Sequence, residues 1–174
     1  DLQSARIIIG HVFEGVKMSR KYRLPKVLVD FIRTHHGTTL VEYFFRNYLR
    51  EHPEEQVDAD QFRYPGPRPT TVEETILMLA DSIEAACKSL KDPTEQDINE
   101  QVDKIVAGKI NKGQLEHSAM TFQELEECKV VFKKIMKSVD DVRFEYPEED
   151  KTKKAADVAD AQAEAVPEKP GEEN

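Results

Sequence analysis

Five histidines occur in the chain, and three of them stand in apolar company. His35 and His36 are adjacent in "FIRTHHGTTLVEYFF", at the end of one apolar segment and directly before Gly37. His11 lies in "SARIIIGHVFEGV", where Ile7, Ile8 and Gly15 are its neighbours one helical turn away. A carboxylate, Asp81, follows five apolar residues in "ILMLADSIEAA", with Leu77, Met78 and Ala85 on its own side of a helix. Three imidazoles and one carboxylate, all on or at the ends of apolar helices, suit a site for Zn, Mn or Fe. Adjacent helical residues point about 100° apart. His35 and His36 therefore serve one small target only where the backbone turns away, as it can at Gly37.

Each residue also has a plainer reading. His11 can be a core histidine bonded to a carbonyl, with Gly15 leaving room for something to approach. The pair can meet the negative end of a helix dipole. Asp81 is costly on an apolar face unless it is paired, hydrogen-bonded or bound to metal. Its own helix offers no cation nearer than Lys88, two turns on. His52 and His117 stand in polar surroundings and read as solvated. Arg63, Tyr64 and Arg68 lie in "RYPGPRP". That stretch is either a stiff turn with surface arginines or a lip over the site, with Arg63 and Tyr64 meeting substrate and guanidinium groups facing phosphate. No Gly-rich phosphate loop or nucleophile-elbow serine is present.

The elements that must position these residues are helical. Apolar spacing and capping predict helices over 4–21, 25–36, 39–52, 71–90, 93–110 and 121–140. Thr39 with Glu42, Thr70 with Glu73, and Thr121 with Glu124 have capping-box spacing. Asp92-Pro93 reads as a cap followed by proline at the first helical position, and Pro25 and Gly37 bracket the second helix. Ile76, Leu79, Ala80, Ile83, Ala86, Cys87 and Leu90 form one apolar face; Phe122, Leu125, Val131, Phe132, Ile135 and Val139 form a less regular one. The segment 53–69 reads as a long loop, and loops of that length in compact domains are often functional. The fold class is all-α.

The composition narrows the function. Thirty-four acids against 25 bases give a net charge of -9, which argues against a nucleic-acid polymer as partner. It leaves room for a small phosphorylated ligand held by local cations or a metal. No stretch approaches the roughly 20 apolar residues of a membrane span, and no signal peptide is visible. Cys87 and Cys128 are isolated and read as reduced cytoplasmic thiols. From Glu148 onward nine acids face four bases with no aromatic residue, so 148–174 reads as a disordered acidic tail behind a domain spanning 1–147.

Three segments then stand out in order: "IIIGHVFEGVKMSRKYRLPKVLVDFIRTHHGTTLVEYFF", "FRYPGPRPTTVEETILMLADSIEAACKSL" and "GQLEHSAMTFQELE". Over residues 5–147 the chain resembles the HD-domain phosphohydrolases. Within them it is most similar to the cytoplasmic HD domain of seven-transmembrane HD receptors, which act as cyclic di-AMP phosphodiesterases. The resemblance implies a helical bundle around two divalent metals, iron or manganese. It implies that His11, His35 and His36 hold one metal and that Asp81 closes the shell of the other. The implied substrate is a cyclic dinucleotide cut to a linear one, in a cytoplasmic domain of a membrane-anchored parent. The nucleophile it implies is metal-activated water, with no side chain acting as general base.

The sequence departs from the family's pattern in one respect. The His-Asp dipeptide that names the family, whose aspartate bridges the metals, does not occur. A further upstream histidine is also missing. Both are expected N-terminal to Asp1, so the chain reads as the later part of an HD domain, with at most one well-held metal site. The alternative for such a piece is a non-catalytic helical module that senses a nucleotide or binds a partner.

Overall fold

The computed structural model describes residues 2–54 and 56–145, with side chains to Val139. The predicted tail, 148–174, lies outside the described residues, as does the boundary at 147. Six helices are described: α1 (Leu2–Lys21), α2 (Lys26–Thr34), α3 (Glu42–Glu51), α4 (Val72–Lys88), α5 (Glu95–Asn111) and α6 (Phe122–Glu145). A 3-10 turn, Ala59–Phe62, lies inside the expected long loop, and the described residues contain no strand. Asp1–Lys137 make one compact unit, and the description below concerns that unit. No helix among the described residues is long and apolar enough to cross a membrane.

Local chemistry sets most of the helix ends. Thr121 and Glu124 form the expected reciprocal bonds at the start of α6. The cap of α4 falls one residue later than its sequence spacing indicates. Thr71 and Glu74 make the capping box, and Thr70 adds its own amide and hydroxyl to Glu74 Oε2. The cap of α5 is Thr94 with Asp97, rather than Asp92-Pro93, because Asp92 is turned into the left-handed region at φ 45°. Thr39 does not cap α3. Its hydroxyl is engaged elsewhere, and Val41 takes the N-cap position without a side-chain bond.

The main core is built by α4, α5 and α6. Leu79, Ile83 and Cys87 meet Ile98, Val102 and Val106 of α5 and Leu125, Phe132 and Met136 of α6. The α6 stripe thus runs through Leu125, Cys128, Phe132 and Met136 at three- and four-residue steps. Phe122, Val131, Ile135 and Val139, expected on that face, are exposed. The irregular pattern in the sequence came from two faces read as one. Ile76 of α4 is likewise exposed.

The α1–α3 region is thinner. Ala5, Ile9, Val12 and Ser19 are the buried residues of α1, Thr34 that of α2, and α3 has none. A small cluster of Ile9, Val12 and Tyr64, with Val41 against it, underlies the histidines. A Cβ on Gly15 would stand 2.9 Å from Ile32 Cγ2, so the room next to His11 is taken by α2 and not by a ligand.

Candidate metal centre

α2 ends one residue before the histidine pair. His35 is its C-cap, and the amide of Gly37 donates to Thr34 O at 2.8 Å, which closes the turn. Gly37 has φ +54°, and a Cβ there would lie 2.5 Å from Gln114 Oε1 and 2.7 Å from Met78 Cε. Glycine is therefore required for both its backbone conformation and its lack of side chain. Both histidines leave this turn toward α1 and meet His11.

The three rings converge through their Nε2 atoms. His11 Nε2 is 3.2 Å from His35 Nε2 and 3.1 Å from His36 Nε2. Two of the Nδ1 atoms point away, onto backbone carbonyls: His11 onto Ile8 O at 2.5 Å, His35 onto Ile32 O at 2.8 Å. A carbonyl only accepts, so each of these Nδ1 atoms carries the proton, and in the neutral ring each Nε2 is left with a lone pair. His36 Nδ1 faces Asp81 Oδ2 at 3.3 Å, which orients the third ring the same way. Lone pairs directed at one another over these distances repel unless a cation lies among them. Nitrogens about 2.0–2.1 Å from one ion stand roughly 3–3.5 Å apart, so the residues present fit a bound metal. The ligand atoms of His11, His35 and His36 form the group able to hold an ion among the described residues.

Electrostatics keeps His36 ready. Its pKa is lowered to about 3, first by burial and then by the charges of His35, His11 and Lys109. No proton has to leave it at neutral pH before it can act as a ligand. Tyr64 stacks on the His36 ring at 4.1 Å and meets His11 edge-on at 5.9 Å. Its phenol is pushed up to about 12, by burial first and by Asp81 second, and stays a neutral donor.

The candidate residues thus separate. His11, His35 and His36 come together. Asp81 stands beside them, behind His36 and outside the three-nitrogen group, with its side chain 40 % exposed and not buried as its apolar neighbours imply. Tyr64 is a buried wall of the cluster rather than a lip, held there because its amide donates to Thr39 O at 3.0 Å. Arg63 pairs with Asp60 at 3.1 Å and donates to Thr38 O at 3.4 Å, and Arg68 reaches Thr38 and Glu116. His117 is exposed as expected, whereas His52 stacks on Tyr48 at 4.3 Å.

One residue of the site escapes the sequence reading. Lys109 of α5 is buried, and its Nζ donates to Thr39 Oγ1 at 3.1 Å. Its charge is felt by both His36 and Asp81. It is the cation that the α4 sequence could not supply to Asp81. A signal was available: Ile98, Val102, Val106 and Lys109 follow one helical stripe, so Lys109 occupies a core position.

A helical bundle presenting three imidazole nitrogens at a helix end belongs to the class of domains built to hold a metal ion, and comparison with known proteins gives the family. The model of the HD domain matches residues 1–86. The cyclic-di-AMP phosphodiesterase PgpH of Bacillus subtilis is 38% identical over 145 residues, which are 83% of this chain and 20% of that protein. PgpH of Listeria monocytogenes is 32% identical over 147 residues, 84% of this chain and 20% of that protein. The crystal structure of the L. monocytogenes PgpH HD domain in complex with cyclic-di-AMP superposes with a TM-score of 0.75 at 31% identity, covering 79% of this chain and 64% of that one. This chain belongs to the HD-domain family. It spans about a fifth of the length of the curated relatives it matches.

Proposed function

We propose that this domain is the metal-dependent part of a phosphodiesterase that hydrolyses cyclic di-AMP to a linear dinucleotide. The observation that carries this reading is the convergence of three Nε2 lone pairs, two of them fixed by backbone carbonyls at the opposite nitrogen. The likeness to the PgpH proteins supports the choice of substrate.

Divalent ions, Mn or Fe, would supply Lewis acidity to the phosphate oxygens and a lowered pKa to bound water. The chain's residues do the rest. His11, His35 and His36 would hold one ion, and the Ile8 and Ile32 carbonyls keep two of the rings in the ligating tautomer. Asp81 faces His36 with one oxygen and would offer the other to a second ion. Tyr64 covers one face of His36 and keeps bulk water off it. Arg63 is the substrate-facing cation only if substrate draws it from Asp60. The domain would work on the cytoplasmic side of a longer, membrane-anchored protein.

The test is hydrolysis of cyclic di-AMP by the parent protein loaded with Mn or Fe, with metal content measured alongside. Turnover is expected in the wild type and is expected to be abolished in Asp81→Ala. Full turnover in Asp81→Ala would remove Asp81 from the metal set. Binding without turnover in the wild type would favour a nucleotide-sensing module instead.

A further inference from the structure

Lys109 answers the charge of Asp81 through space, but among the described residues no ion pair joins the two, and its hydrogen bonding leaves donors over. It is 8 % exposed, at the end of the apolar stripe of α5, and lies outside the residues matched by the HD-domain model. An ammonium has three protons to place. Among the described residues Thr39 Oγ1 is its one hydrogen-bond acceptor. The same hydroxyl donates to His36 O at 2.6 Å, so the lysine meets the turn that carries the histidines. Burying a charge is costly unless it is paired. Asp81 offsets part of that cost, and burial still brings the pKa down to about 8, which leaves the group an ammonium at neutral pH. A methionine would fill the same volume without any of this cost. The chain instead keeps a desolvated cation with unused donors next to an anion-binding chemistry.

We propose that the Lys109 ammonium anchors the substrate's phosphate, donating a hydrogen bond to a phosphate oxygen while His11, His35 and His36 hold the ion beside it. This rests on the phosphodiesterase reading for its substrate, but not for its first measurement. The competing role is a structural pin that only steadies Thr39 and the histidine turn. The two roles differ in what Lys109→Met removes. Loss of a phosphate anchor weakens anion binding and leaves metal binding intact. Loss of a pin disturbs the histidines and weakens metal binding.

The experiment titrates the full chain with inorganic phosphate by calorimetry, metal-free and Mn-loaded, in wild type, Lys109→Met and Lys109→Arg. Lys109→Met is expected to bind Mn like the wild type and phosphate about tenfold or more weakly, while Lys109→Arg stays within about threefold. Lys109→Gln replaces the Met variant if that one does not fold. In turnover of cyclic di-AMP by the parent protein, the Met variant is expected to raise KM more than it lowers kcat. Equal phosphate affinity in wild type and Lys109→Met overturns the proposal, and so does loss of Mn in that variant. If the parent protein takes no Mn, the phosphodiesterase reading fails. The metal-free titration then still decides on Lys109, because a wild type that binds phosphate no better than the Met variant rules the anchor out.

Discussion

The α4–α6 region and the α1–α3 region are built on different terms. In the first, three helices close over one apolar core, and Leu79, Ile83 and Val102 are fully buried. In the second, α3 buries no residue and α2 only Thr34, while Ile7 is 70 % exposed. The chemistry-bearing histidines all come from the thin region. The residues that meet the turn carrying His35 and His36, among them Lys109, Gln114 and Met78, come from the thick one or its edge. Stability and ligation are thus carried by separate sets of residues that meet at the 36–42 turn.

This separation can be broken by single substitutions. The largest effect is expected for Leu79→Ala, which empties a fully buried site and should cost about 2–5 kcal/mol, read as a lower denaturation midpoint. If the comparison holds, Ile7→Ala should cost far less. A similar loss at both positions would show that the exposed α1 face is packed in solution. Next comes His35→Ala. It should lower metal affinity about a hundredfold or more, judged against the 10- to 100-fold typical of outer partners, and barely move the midpoint of the metal-free chain. A large drop in that midpoint would make His35 a structural residue.

The smallest effect concerns the clip between Lys112 of α5 and Glu42 of α3. The Lys112 hydrogen bond is the main cause holding the Glu42 carboxyl below the usual range. A depressed carboxylate adds stability above its unfolded pKa and loses it as pH falls through the folded one. Stability should therefore decline slightly more steeply below about pH 4.5 in the wild type than in Lys112→Met. Parallel acid-melting curves would show that the clip contributes nothing.

How far the sequence alone could be read follows the same division. All six helices were legible, because apolar spacing and local caps are properties of neighbouring residues. The convergence of the histidines was expected from their apolar neighbours together with the family resemblance; the rings do meet, although His11 and Ile7 are exposed. What was not legible depends on partners distant in the chain. Thr39 looked like a cap for α3, but His36 and Lys109 claim its hydroxyl. Asp81 looked unpartnered because its cation, Lys109, and its histidine, His36, lie on other elements. Tyr64 looked like part of an outward loop, and two backbone bonds, Tyr64 to Thr39 and Val41 to Phe62, turn that loop inward.

The short α2 helix also acts as a ruler. It runs from Pro25 to a stop that Gly37 enforces, and the pair of rings is fixed to its final turn. Helical geometry makes such a device intolerant of insertions. One extra residue would advance the pair by about 1.5 Å and swing it by about 100°, carrying both Nε2 atoms out of reach of His11. The same insertion in the loop before the Ala59–Phe62 turn would lengthen a closure by one residue, at small entropic cost. Length variation in this fold is therefore expected to accumulate between α3 and the 3-10 turn and to be absent between Pro25 and Gly37.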